Sequence, residues 1–189
     1  MDDEHGFTLV EVLVAMAIVV ITAVGVAELV TIAARASMTS RRLTTSTSLA
    51  VQKMEQLEAL MWTFADEEPG AGPVADVSTD LSVDPPVAGG AGLATSPAGA
   101  LDHNTAGYVD YLDANGAWIG TGTTQPSAAV FVRRWSIEPL PAEPDHTLVL
   151  QVLVTSAATD RSASLLPDGR RAVLAGDALL ATIHTRRRP

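Results

Sequence analysis

From Phe7 to Ala34 the chain is almost uninterrupted by polar residues. Of these 28 residues 22 are hydrophobic, and the exceptions are Thr8, Glu11, Thr22, Gly25, Glu28 and Thr31. A helix of that length rises roughly 42 Å at about 1.5 Å per residue, more than the roughly 30 Å hydrocarbon core of a bilayer, so it can span a membrane. Helix-breaking residues come late. The first proline is Pro69, and the only glycine between Phe7 and Glu68 is Gly25. Local rules therefore permit one helix from Phe7 to about Phe64, roughly 87 Å long at about 1.5 Å per residue.

The second half of that helix has a different pattern. Leu43, Thr47, Ala50, Met54, Leu57, Met61 and Phe64 recur at steps of four and three, while Gln52, Lys53, Glu55, Gln56 and Glu58 are expected to face elsewhere. Such a stripe fits packing under the chain's own sheet, or an intermolecular seam. From Pro69 to Gly99, 11 of 31 residues are Pro or Gly, and apolar periodicity is lost. That composition predicts a long loop, mobile or loosely draped over the surface.

After Leu101 the period becomes two. Tyr108 to Leu112 and Trp118 to Ile119 flank Asp113-Ala114-Asn115-Gly116, a hairpin signal in which Asn-Gly supplies a tight turn. Val130 to Ile137 predicts a further strand, closed by Pro139, Pro141 and Pro144. Thr147 to Thr155 predicts another, with Leu148, Leu150, Val152 and Val154 on one face, and Leu179 to Thr185 a last one. Strands joined by short connections pair antiparallel. The expected fold class is α+β, a long N-terminal helix whose outer half backs a small antiparallel sheet.

Composition removes several function classes. The 189 residues include no Cys, so disulfides, thiolate metal sites and thiol nucleophiles are excluded. Acidic residues outnumber basic ones 22 to 12, a net charge of -10 that argues against a nucleic-acid binder with a broad basic face. His5, His103, His146 and His184 lack helical ligand spacing. Asp110, Asp113 and Asn115 resemble part of a calcium loop, but the EF-hand spacing is unmet and a plain hairpin turn is the simpler account. There is no Gly-x-Ser-x-Gly elbow, His-Glu-x-x-His or phosphate loop. No catalytic residue, metal site or cofactor is expected, and the chain is not expected to be an enzyme; a membrane-anchored enzyme or binding domain is the alternative of another class. Arg186-Arg187-Arg188 is expected to be a solvated basic terminus.

The most informative run is Gly6-Phe7-Thr8-Leu9-Val10-Glu11-Val12-Leu13-Val14-Ala15-Met16. A charged residue at the centre of a spanning helix costs roughly 2.5 to 3.5 kcal/mol, so Glu11 needs a partner or a proton. This run resembles the signature of type IV prepilins and type II secretion pseudopilins: a short leader ending in Gly, then Phe, Thr-Leu-Val-Glu and a hydrophobic stretch. The strand Val132-Arg133-Arg134-Trp135-Ser136-Ile137 and the Val-rich strand after it are similar to those of PilV-like minor pilins and I-type minor pseudopilins. The usual burial of aromatics makes Trp135 a core anchor, with an interface anchor as the alternative.

The resemblance implies cleavage by prepilin peptidase after Gly6, N-methylation of the new terminus at Phe7, and pairing of Glu11 with the terminal ammonium of a neighbouring subunit during filament assembly. It divides the chain into a leader (1–6), a transmembrane or filament-core helix (7–34), the soluble half of that helix (35–64), a Gly/Pro/Ala-rich loop (65–105) and a sheet region (106–189). Its implied partners are other pilin or pseudopilin subunits, the peptidase and the bacterial inner membrane, crossed once, with the soluble domain periplasmic or extracytoplasmic and able to become part of a pilus or pseudopilus. Two features depart from the pattern. Asp2, Asp3 and Glu4 make the leader acidic, and Arg35, Arg41 and Arg42 follow the span, so charge alone would place the domain in the cytoplasm. Ala34-Arg35-Ala36 offers a signal-peptidase alternative with Ser37 as the new terminus, but the apolar stretch is too long and the leader too acidic for it.

Overall fold

The structure, a computed structural model, describes residues 8–60, 62–64, 73–75, 79–80, 83–84, 86–88, 93–162, 166–167 and 169–185. It divides into two compact units, Met1–Ser40 and Arg41–Pro189. Helix α1 (Leu9–Glu58) contributes to both.

In the first unit every described residue is exposed, including Leu9 (79%), Met16 (69%) and Ile21 (71%). A helix that is apolar on all sides and exposed at every described position matches a segment whose solvent is lipid or other helices. This helix is long and apolar enough to cross a membrane.

The second unit is built around a five-stranded antiparallel sheet. In chain order the remaining elements are β1 (Trp62–Phe64), β2 (Pro73–Ala75), β3 (Thr79–Asp80), β4 (Val87–Ala88), β5 (Val109–Leu112), β6 (Trp118–Thr121), β7 (Phe131–Pro139), β8 (Thr147–Ser156), α2 (Ala157–Ser162) and β9 (Ala178–Thr185). The main sheet runs β6-β5-β7-β8-β9. Its backbone is the β7–β8 pair, in register from Phe131 opposite Ser156 to Pro139 opposite Leu148. The alternation expected for β8 is present: Leu148, Leu150, Val152 and Val154 join Phe131, Trp135 and Ile137 in the core that Leu49, Ala50, Met54 and Leu57 of α1 cover. A smaller core of Val109, Tyr111, Ala129, Val132 and Ala157 lies on the other face. The fold is thus α+β, with the outer part of α1 packed on an antiparallel sheet.

Four expectations need correction. The helix ends at Glu58, not near Phe64. Its last turn tightens as Leu60 N donates to the Leu57 carbonyl (3.3 Å), and Trp62-Thr63-Phe64, aromatic and β-branched, pair as a strand with Pro73–Ala75. The buried face is also rotated. It comprises Ser46, Leu49, Ala50, Lys53, Met54 and Leu57, whereas Leu43 is 46% exposed and Thr47 is exposed; Met61 lies outside the described residues. Lys53, expected to face away from the core, is wholly buried.

The Gly/Pro-rich stretch carries two short ladders, β1–β2 and β3–β4, and its end is firmly placed. Leu93 and Ala100 are buried, Ser96 N donates to the Ile137 carbonyl (2.8 Å), and Ile137 N donates to Ser96 Oγ (3.0 Å). Residues 93–99, the end of the stretch expected to be loose, are therefore held against the sheet.

Candidate functional site

The residues implied by the N-terminal motif come first. Gly6, Phe7 and the rest of the leader lie outside the described residues, as does the Arg186–Arg188 tail. Glu11 is in the first turn of α1 and exposed. Thr8 sits just before the helix, and the two side chains close a reciprocal cap. Thr8 N donates to Glu11 Oε2 (2.9 Å), Thr8 Oγ1 donates to the same oxygen (3.0 Å), and Glu11 N donates to Thr8 Oγ1 (3.3 Å). This is a capping box, and the spacing Thr-x-x-Glu was the signal for it. The carboxylate is fixed at the helix N-terminus, where the backbone dipole favours negative charge. Both bonds to it use Oε2, so Oε1 takes part in neither. From Glu11 a strip of Val12, Ala15, Met16, Val19 and Val20 continues along the helix surface. This is a face on which another helix can lie, with a single acceptor at one end.

The second unit holds a charge cluster under α1. Arg133, wholly buried on β7, directs all its N–H groups at three segments. Nε donates to Asp110 Oδ1 (3.0 Å), Nη2 to Asp110 Oδ2 (2.9 Å) and Asp84 Oδ2 (2.8 Å), and Nη1 to the Leu49 carbonyl (3.1 Å) and Gln52 Oε1 (2.9 Å). Lys53 Nζ lies 3.2 Å from Asp110 Oδ2 and 4.0 Å from the centre of the Trp135 ring. Two cations thus meet two carboxylates where neither sign could be buried alone. Burial pulls the Lys53 ammonium down to about 8, against the upward pull of Asp110. Burial pushes Asp84 up, but the hydrogen bond and charge of Arg133, with Gln56 and Lys53, outweigh it and hold the carboxyl below its usual value.

Arg134 points to the other face of the sheet. It binds Asp160 of α2 through two bonds of 2.8 Å, with Arg171 Nη1 2.7 Å from the same carboxylate. Trp135, expected as a core anchor, is 1% exposed.

The residues considered for calcium are used otherwise. Asp113 Oδ1 accepts from Asn115 N (2.7 Å) and Ala117 N (2.9 Å) to shape the hairpin turn, and Asp110 belongs to the buried cluster. Among the described residues no group of three or more His, Cys, Asp or Glu is placed to hold a metal ion. Sequence reasoning missed the cluster because Lys53, Asp84, Asp110 and Arg133 come from segments far apart in the chain, with no spacing rule to join them.

Residues 1–27 match the family model described as the prokaryotic N-terminal methylation motif. The chain therefore carries the type IV prepilin-like signature. The searches of curated proteins and of solved structures returned no match.

Proposed function

We propose that the chain is a minor pilin of a type IV pilus: a single-pass inner-membrane precursor, cut by prepilin peptidase after Gly6 and N-methylated at Phe7, with its Arg41–Pro189 unit outside the cytoplasm. It enters or primes a helical filament through α1. Its work is assembly, not catalysis. The observation that carries this is the coincidence of the methylation motif over residues 1–27 with an apolar helix on which every described residue up to Ser40 is exposed. Every described residue of that helix up to Ser40 is exposed, and membrane insertion followed by packing among like helices supplies a cover. Glu11, held at the helix start with Oε1 outside its local bonds, is set to accept the terminal ammonium of a neighbour. In a low-dielectric bundle the two charges relieve each other and fix axial register.

The Arg133-x-Trp135 strand resembles those of PilV-like minor pilins and of I-type pseudopilins alike, so a minor pseudopilin of a type II secretion system is the second reading. Deleting the gene separates the two: loss of surface pili supports the first, loss of exoprotein release the second.

Sequencing the mature N-terminus tests the processing. N-methylated Phe7 is expected, and Ser37 would point to signal peptidase and overturn the assignment. Glu11→Val is expected to insert in the membrane at wild-type level while failing to assemble.

A further inference from the structure

We infer that Glu28 is a second assembly residue, pairing with Arg35 of an adjacent parallel copy of this chain. The inference rests on the filament reading above and extends it to the outer end of the span.

Glu28 stands apart from the other polar side chains of the helix. Thr8 and Glu11 satisfy each other, Thr22 Oγ1 donates to the Ile18 carbonyl (2.9 Å) and Thr31 Oγ1 to the Ala27 carbonyl (2.9 Å). Glu28 is exposed and makes no ion pair among the described residues. The positions three and four away, where a helical partner must sit, are Val24, Gly25, Thr31 and Ile32. Arg35 is in the same condition, with Thr31, Ile32, Met38 and Thr39 around it. The two charges lie on one face with Val24, Ala27, Thr31 and Ile32 between and beside them. At seven residues apart they are separated by a rise of about 10.5 Å, too far to pair within one helix.

A second copy removes the mismatch. No basic residue occurs between Phe7 and Ala34, so Arg35 is the first cation that a parallel copy can bring toward Glu28. Levelling the terminal ammonium at Phe7 of an outer copy with Glu11 of an inner one needs a four-residue stagger, about 6 Å. That stagger leaves the outer copy's Glu28 three residues, about 4.5 Å, from the level of the inner copy's Arg35, which two long side chains can bridge. One displacement serves both pairs. Each copy then offers Glu28 to one neighbour and Arg35 to the next, an open head-to-tail contact that propagates.

Two differently tagged full-length copies, co-expressed with the peptidase and purified from detergent-solubilised membranes, test this. Glu28→Arg and Arg35→Glu are each expected to reduce co-purification about tenfold, which corresponds to about 1.4 kcal/mol, and the chain carrying both changes to restore it. Membrane fractionation confirms that each variant inserts. Wild-type co-purification by both single reversals, loss without restoration in the double reversal, or no association of wild-type copies overturns the pairing. Failure of the filament reading shows separately, as a mature N-terminus other than Phe7 or as normal assembly of Glu11→Val.

Discussion

Arg133 ties several segments of the second unit together, because its N–H groups bind a helix carbonyl, a helix side chain, a neighbouring strand and the Asp84 segment at once. Removing it strands two carboxylates beside a single ammonium. Arg133→Met is therefore expected to cost about 3 to 5 kcal/mol, the usual penalty for breaking a buried pair, as a lower midpoint in chemical denaturation. Lys53 gives a second test, since it is the chain's only lysine. With burial setting its folded value at about 8, isotope-edited NMR of the side chain should show a titration near that pH, and a value near the ordinary ~10.4 would mean that the ammonium is solvated. Between those values the unfolded chain holds a proton that the folded chain has released. Stability is accordingly expected to rise with pH through this window, a slope that Lys53→Met removes. Above it Tyr108 and Tyr111, pushed up by burial, act in the opposite sense.

The hairpin between β5 and β6 shows how closely one element is fitted to another. Gly116 has φ 80°, and a Cβ there would lie 2.8 Å from Leu49 Cδ2 on α1. Gly116→Ala meets both a backbone penalty and a contact, and is expected to destabilise by about 1 to 3 kcal/mol, read as a lower thermal midpoint. The Asn-Gly signal made this turn legible in the sequence, as period-two alternation did the strands and lack of breakers the helix. The end of the helix was not legible. No Gly or Pro marks Glu58, and the strand that follows depends on pairing with Pro73–Ala75. Nor was the face of Lys53: the periodicity rule assigns a charged residue to solvent, and only Asp110, Arg133 and Trp135, brought together by the sheet, make its burial tolerable. At the N-terminal motif the positions are readable from the sequence, and the Thr8–Glu11 cap is written in the same run as Thr-x-x-Glu.

At the scale of the molecule, the overall composition averages unlike parts. Outside residues 1–34 the apolar fraction is roughly 43%, within the ordinary range for a globular domain. Without Asp2, Asp3 and Glu4 there remain 19 acidic and 12 basic residues, a net charge of -7. Every buried residue of α1 lies at Ser46 or beyond. A fragment beginning at Arg41 is therefore expected to be soluble and monomeric and to unfold in one cooperative step, checked by size-exclusion chromatography and circular dichroism. Aggregation would show that residues 1–40 contribute to the fold. The grip of Arg133 on the helix has a mechanical side. Tension drawn along the outer turns of α1 reaches the sheet through the Leu49 carbonyl, Gln52 and the Lys53–Asp110 contact, bonds loaded side by side on β5 and β7. In a chain with no disulfide, this buried salt cluster is the rivet through which a pull on the helix reaches the sheet.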